Sequence, residues 1–242
     1  MSKINVVELF KSIQGEGNEA GKVTVFVRLG GCDFRCPWCD SKHTWRPNES
    51  GRLVEVQDLV KKIEALGVKH CTFTGGNPCI WKEPMAEMLQ SLKQKGFSIS
   101  METQGSKIQR WIDLVDNLVI SPKNITDREK GMSEQRYKES IKMIIDTRTA
   151  LNLKTIVKIP IFNEQDLQWV KDFVTFDGEY DIYLSVGNDW VDMQDGTKFR
   201  ALILERYKWL IETVLEDKWF TNRLVSVLPQ VHTLVWINEQ GV

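Results

Sequence analysis

Cys32, Cys36 and Cys39 are spaced C-x3-C-x2-C within the segment Gly31-Cys32-Asp33-Phe34-Arg35-Cys36-Pro37-Trp38-Cys39-Asp40. Three thiolates on one short loop can hold three irons of a 4Fe–4S cube and leave the fourth iron without a protein ligand. That open iron is a place for a substrate or cofactor to coordinate, so the pattern points to catalysis rather than electron storage. Spacing alone also admits a tetrahedral zinc site with His43 as the fourth ligand. Cys71 and Cys79 do not fit the spacing and read as small core residues.

Other residues of suitable chemistry stand apart in sequence. Gly75 and Gly76 lack side chains, so backbone can approach a ligand closely there. The planar fork of Arg28 matches a carboxylate bidentately, although such an arginine also serves in ordinary ion pairs. His232 reads either as a site residue or as a satisfied core histidine.

These residues need elements to position them. Val23–Leu29, His70–Thr74, Phe97–Thr103, Leu118–Ser121, Thr155–Ile161, Asp181–Val186 and Leu224–Leu228 read as strands from their β-branched or alternating composition. Glu55–Leu66, a segment around Met85–Leu92, Tyr137–Thr149, Glu164–Phe173 and Phe199–Leu215 read as helices from apolar residues in helical phase. Gly67 and Gly96 read as helix stops. Asn124–Glu134 is polar and charge-rich and reads as an exposed loop. Strand and helix alternate, which predicts an α/β fold: a partial βα barrel with parallel strands inside and helices outside, over residues 1–242 as one domain. The candidate residues follow the predicted strands, so they should converge on the C-terminal edge of the sheet, where such folds bind ligands.

Composition bounds the function. The chain has 242 residues, 42% hydrophobic and 27% charged, with a formal net charge of -1. A near-neutral balance supplies no field to attract a polyanion, so nucleic acid is not expected as the main partner. No leader or membrane-spanning segment is expected. An odd number of cysteines, three of them too close to staple a fold, fits a reducing cytoplasm.

The ordered set of motifs resembles the radical S-adenosylmethionine (SAM) superfamily and, within it, the 7-carboxy-7-deazaguanine synthases, over nearly the whole chain. The motifs are the three cysteines with Trp38, Ile13-Gln14-Gly15-Glu16-Gly17, Phe26-Val27-Arg28, Glu102-Thr103-Gln104-Gly105, Ser121-Pro122-Lys123 and Leu228-Pro229-Gln230-Val231-His232. The resemblance implies a 4Fe–4S cluster whose open iron takes SAM, one-electron cleavage to a 5′-deoxyadenosyl radical, and hydrogen abstraction from 6-carboxy-5,6,7,8-tetrahydropterin. Ring contraction with loss of ammonia then gives 7-carboxy-7-deazaguanine, a precursor of queuosine. It further implies magnesium, an electron donor such as flavodoxin, and a homodimer.

Residue by residue, the resemblance places Gly75, Gly76, Asn77, Glu102, Ser121, Lys123 and the segment Ser185, Val186, Gly187 and Asn188 on SAM, with Trp38 near its adenine. It places Ile13, Gln14, Gly15, Glu16, Arg28, Thr74, His232 and a terminal carboxylate at Val242 on the substrate, and Ser41 on magnesium. Two positions depart from the family pattern: Asn77 stands where a glutamate binds the SAM amine, and Ser185 where glutamine is commoner. The competing readings are a radical SAM activase that installs a glycyl radical on a partner, which needs a wide polypeptide groove, and a zinc or iron–sulfur binding module without SAM chemistry.

Overall fold

The computed structural model describes residues 2–46, 51–124 and 132–242. Among the described residues nine strands form one sheet: β1 (Lys3–Ile13), β2 (Val23–Leu29), β3 (Arg52–Glu55), β4 (His70–Gly75), β5 (Ser98–Thr103), β6 (Asn117–Ile120), β7 (Lys154–Ile161), β8 (Asp181–Val186) and β9 (Val225–Leu228). Their order is β3-β1-β2-β4-β5-β6-β7-β8-β9. From β2 through β9 every neighbouring pair is parallel. The edges β3 and β9 do not pair, so the barrel is partial.

The helices are α1 (Val56–Ala65), α2 (Glu83–Gln94), α3 (Glu134–Ala150), α4 (Glu164–Phe173), α5 (Gly196–Glu216), α6 (Lys218–Thr221) and α7 (Val231–Trp236). Each of α1 to α5 buries an apolar face. Val56, Leu59, Val60 and Ile63 of α1 are buried, as are Met85, Met88, Leu89 and Leu92 of α2. Gly67 and Gly96 follow these helices with φ of 74° and 75°, the left-handed conformation that ends a helix and suits glycine. The inner strands are covered on both sides and are accordingly near-continuous apolar runs; all of β6 is buried.

Three features differ from the sequence expectation. The sheet is not wholly parallel: β1 runs antiparallel to β2, and β3 antiparallel to β1. β1 mixes Lys and Glu with apolar residues because much of it is only half-buried, and β3 is a short edge strand; neither carries a strong strand signature. The helix α7, inside the Leu228–His232 motif, was not expected either. Of the loop expected over Asn124–Glu134, residues 125–131 lie outside the described residues, and Glu134 already belongs to α3, capped by the Ser133 hydroxyl.

The segment between β1 and β2 positions much of the site. Its lower part is tied to strand starts: Asn18 and Asn117 exchange amide hydrogen bonds at 2.9 and 3.2 Å. The Glu19 carboxylate accepts from Ser100 Oγ at 2.5 Å and lies 3.2 Å from His70 Nε2. Gly17, at φ 65°, packs so closely under Ile156 of β7 that a side chain would collide there. Gln14 and Glu16 are thereby held facing the barrel interior. Among the described residues no helix is long and apolar enough to cross a membrane.

Candidate active site

The cysteine loop leaves β2 at Leu29 and is closed at its base by Gly31 N donating to Thr44 O (2.7 Å) and Cys32 N to Trp45 O (3.2 Å). Phe34 is buried against Tyr137 and anchors the loop to α3. The glycine pair after β4 serves this loop directly. Gly76 N donates to Leu29 O (3.0 Å) and Asn77 N to Gly31 O (2.7 Å). A Cβ on Gly75 or Gly76 would strike the backbone of Leu29, Gly31 or Cys32. The close approach expected of these glycines is therefore first an approach to the cysteine loop.

The loop overlooks a cavity of about 500 Å³ at the C-terminal edge of the sheet, lined from β1, β2 and the segments that follow β2, β4, β5, β6, β7, β8 and β9. Cys32, Cys36 and Cys39 all line it, and no disulfide joins them. Burial, reinforced by acidic and thiol neighbours, pushes the thiols of Cys32 and Cys39 up to about 12 and about 11. A metal centre must therefore displace protons to bind there. Among the described residues no three His, Cys, Asp or Glu side chains converge on a single metal-ion position. Three thiols on one cavity wall could give one thiolate to each of three irons of a cluster.

Most of the remaining expected residues share this cavity. Ile13, Gln14, Gly15, Glu16, Arg28, Trp38, Ser41, Thr74, Gly75, Gly76, Glu102, Ser121, Lys123, Ser185, Asn188, His232 and Val242 all line it. Three do not. Val186 is buried in the core, and Gly187 packs on the Phe162 ring with its carbonyl taken by Arg206. Asn77 is fully buried, and its amide is saturated. Its Nδ2 donates to Asp33 Oδ1 (2.9 Å) and Ser106 Oγ (3.2 Å), and its Oδ1 accepts from Cys79 N (3.1 Å) and Thr103 Oγ1 (2.9 Å). The expected reach of this amide to a SAM ammonium is not what the structure places there. Asn77 instead ties the cysteine loop, through Asp33, to the end of β5; Gln104 Nε2 and Ser106 Oγ donate to the same carboxylate at 2.6 Å each.

At one end of the cavity Arg28 pairs through Nε with Glu8 and donates from Nη1 to Ser41 Oγ at 3.3 Å. Ser41 donates to Asp40 at 2.9 Å. Glu8 holds one side of the guanidinium and leaves the far side for another anion. One step along the same faces of β1 and β2, Phe10 and Phe26 stack at 5.2 Å and form a flat apolar wall.

At the other end lies a buried charge cluster. Lys158 of β7, 6% exposed, pairs with Glu16 and lies 3.3 Å from Glu102 Oε2. Gln230 Nε2 donates to Glu16 Oε1 at 2.5 Å, and Gln14 Nε2 to Glu102 Oε1 at 3.1 Å. Burial by itself would raise the Glu16 carboxyl. The Lys158 ammonium outweighs that effect, with help from His232 and Gln230, and the group falls to about 2. Gly15 seats the His232 ring so closely that a Cβ would overlap it. Lys123 donates to Ser121 Oγ at 2.6 Å and sits over the Trp38 ring at 5.3 Å; burial lowers its pKa.

Lys158, Glu8 and Phe10 were not singled out from the sequence, and Phe26 only as part of the motif Phe26-Val27-Arg28. For Lys158 a signal existed: a lysine inside the apolar run from Ile156 to Ile161, on the parity of Ile156 and Pro160.

Comparison with known proteins identifies the family. Residues 26–174 match the Radical SAM superfamily. The chain is 34% identical to the 7-carboxy-7-deazaguanine synthase of Bacillus cereus, over 100% of both chains. It is 35% identical to that of Bacillus subtilis, over 99% of this chain and 98% of the relative. Among solved structures the fold matches QueE from Escherichia coli with a TM-score of 0.65, at 24% identity and 93% coverage of each chain. It also matches Streptococcus suis SuiB bound to S-adenosylmethionine with a TM-score of 0.51, at 11% identity, over 84% of this chain and 46% of that one. A cysteine loop seated on paired glycines above one polar cavity, in a chain that aligns from end to end with enzymes of one activity, makes this protein a member of the radical SAM superfamily and, within it, of the 7-carboxy-7-deazaguanine synthase family.

Proposed function

We propose that residues 1–242 work as one radical SAM domain. This lyase converts 6-carboxy-5,6,7,8-tetrahydropterin to 7-carboxy-7-deazaguanine with loss of ammonia. The observation that carries the reading is the polarity of the cavity. It has a guanidinium at one end, carboxylates at the other and a flat aromatic wall between, beside three clustered cysteines. A carboxylated pterin has the complementary order: a carboxylate, a flat ring, and a donor edge of amino and amide hydrogens.

In this reading Cys32, Cys36 and Cys39 would hold the 4Fe–4S cluster. When bound, cluster and SAM together supply the one-electron chemistry that removes a hydrogen atom from the substrate. Arg28, steadied by Glu8, binds the substrate carboxylate, and Ser41 beside Asp40 is the hard-oxygen pair that would hold magnesium. Glu16 and Gln14 accept from and orient the donor edge, with Ile13, Gly15, Thr74, His232 and Val242 completing the substrate wall. Gly75, Gly76, Glu102, Ser121, Lys123, Ser185 and Asn188 line the SAM side, and Trp38 lies toward the adenine. Asn77 does not line the cavity, so the main-chain oxygens of the glycine segment and Glu102 would hold the SAM ammonium.

A cavity of about 500 Å³ suits small molecules and not a polypeptide groove, which speaks against a glycyl-radical activase. The protein works in a reducing cytoplasm as a homodimer and takes its electron from a donor such as flavodoxin. The test is anaerobic cluster reconstitution followed by incubation with SAM, reductant, magnesium and the carboxylated tetrahydropterin. Formation of the deazaguanine is the expected result. SAM cleavage without that product would move the chain to another radical SAM reaction, and absence of both iron and SAM cleavage would reduce it to a binding module.

A further inference from the structure

Lys158 occupies a position that its strand does not call for. Its neighbours in β7, Ile156, Val157, Ile159 and Ile161, are buried apolar residues. A primary ammonium at 6% exposure is costly to desolvate unless it is paired. Here it is paired twice, with Glu16 from the β1–β2 segment and Glu102 from β5. These two carboxylates converge on the cavity from different parts of the chain, and Lys158 is the cation bonded to both.

We propose that Lys158 is a positioning residue for substrate recognition: its ammonium fixes the Glu16 carboxylate between β5 and β7 so that the free lone pairs of that carboxylate meet the donor edge of the pterin. The proposal deepens the substrate reading above and rests on it. The argument is one of charge and aim. Glu16 Oε2 accepts from Lys158 and Oε1 from Gln230, so both oxygens of the carboxylate are held, and each retains a second lone pair in a side chain that lines the cavity. Around it stand Glu102, Lys123 and His232 as the other titratable groups, together with the cysteines further along the wall. Without the Lys158 charge, two carboxylates face each other in a buried site, and burial favours their neutral forms. A protonated Glu16 presents a hydrogen where the pterin also presents hydrogens, and recognition fails.

The test uses reconstituted full-length protein without reductant, so that binding is read without turnover. Affinity for 6-carboxy-5,6,7,8-tetrahydropterin is measured by calorimetry from pH 6.5 to 9, with iron content and thermal midpoint recorded for every variant. Wild type should bind with little pH dependence. Lys158→Met should lose about 10- to 100-fold in affinity at pH 7, the size expected for a charged hydrogen bond, and regain much of it by pH 9 as Glu16 ionises. Lys158→Arg should keep the flat profile, which separates the charge from the packing. In steady state, Lys158→Met should raise KM more than it lowers kcat.

Affinity of Lys158→Met within twofold of wild type at every pH overturns the proposal. So does a loss that is equal at all pH values and shared by Lys158→Arg, which would mark a merely structural residue. Wild-type protein that carries iron and SAM yet binds no pterin overturns the substrate reading itself, and this assignment with it.

Discussion

Asn77→Asp is the substitution that most sharply separates two roles for that position. It changes one atom: the Nδ2 donor becomes a carboxylate oxygen. In the folded chain that atom lies 2.9 Å from Asp33 Oδ1 and is fully buried. Two unit charges at this separation repel by about 6 kcal/mol at an effective dielectric of about 20. Relaxation and uptake of one proton by the new pair reduce the net cost at pH 7.5 to about 3 kcal/mol. For a chain of this size that corresponds to a fall of roughly 6–12 °C in melting temperature. The deficit should shrink as the pH is lowered to 5, because a shared proton removes the repulsion and restores a donor. The assay is thermal melting at pH 7.5 and 5, with SAM affinity of the reconstituted protein measured beside it. If Asn77 instead faced the SAM ammonium, adding a negative charge would tighten SAM binding and leave the fold alone. A variant that melts like wild type and binds SAM several-fold more tightly would refute the reading of Asn77 as a saturated tie between the cysteine loop and β5.

Three further outcomes follow from the same structure. Arg28→Ala should weaken pterin binding by about 100-fold while leaving iron content near that of wild type, since Arg28 contacts Glu8 and Ser41 but no cysteine; parallel loss of iron and activity would count against it. For Glu19, burial is outweighed by His70, Lys22 and Ser100, which hold the carboxyl down at about 2. A depressed acid stabilises the fold above its unfolded value and loses that contribution as pH falls toward the folded one. Wild type should therefore lose about 3 kcal/mol more than Glu19→Gln between pH 5 and pH 2 in urea titrations. Arg148 is fully buried and donates to the carbonyls of Ile112, Val115 and Lys154 and to Thr155 Oγ1. Arg148→Met strands those acceptors and should cost about 3–5 kcal/mol, read as a melting temperature lowered by about 10 °C or more.

Local signals carried the parallel strands and the helices because each is written in a contiguous window. The run Val23–Leu29 is β-branched at Val23, Thr24, Val25 and Val27, and Val56, Leu59, Val60 and Ile63 repeat at helical spacing. The strands β1 and β3 escaped because an edge strand or a half-buried strand need not be apolar, and their pairing is decided by neighbours 10 to 52 residues away. The same divide runs through the site. Cysteines seven residues apart, the glycine pair and Glu102-Thr103-Gln104-Gly105 can be read off the chain. The pairing of Glu8 with Arg28, the Phe10–Phe26 wall and the saturation of Asn77 cannot, since each depends on what the fold sets beside the residue.

By itself, then, the amino-acid order determined which chemistry is available: three thiolates on one loop, an acidic and amide-rich segment near the start, an arginine entering that loop, and strands of one direction whose ends lie together. Tertiary structure alone decided the state and aim of those groups. It turned Asn77 away from the cavity into a hydrogen-bonded tie, and it set Lys158 between Glu16 and Glu102. The physical reason is that charge state and hydrogen-bond satisfaction depend on burial and on partners within a few ångströms, and no spacing along the chain records either.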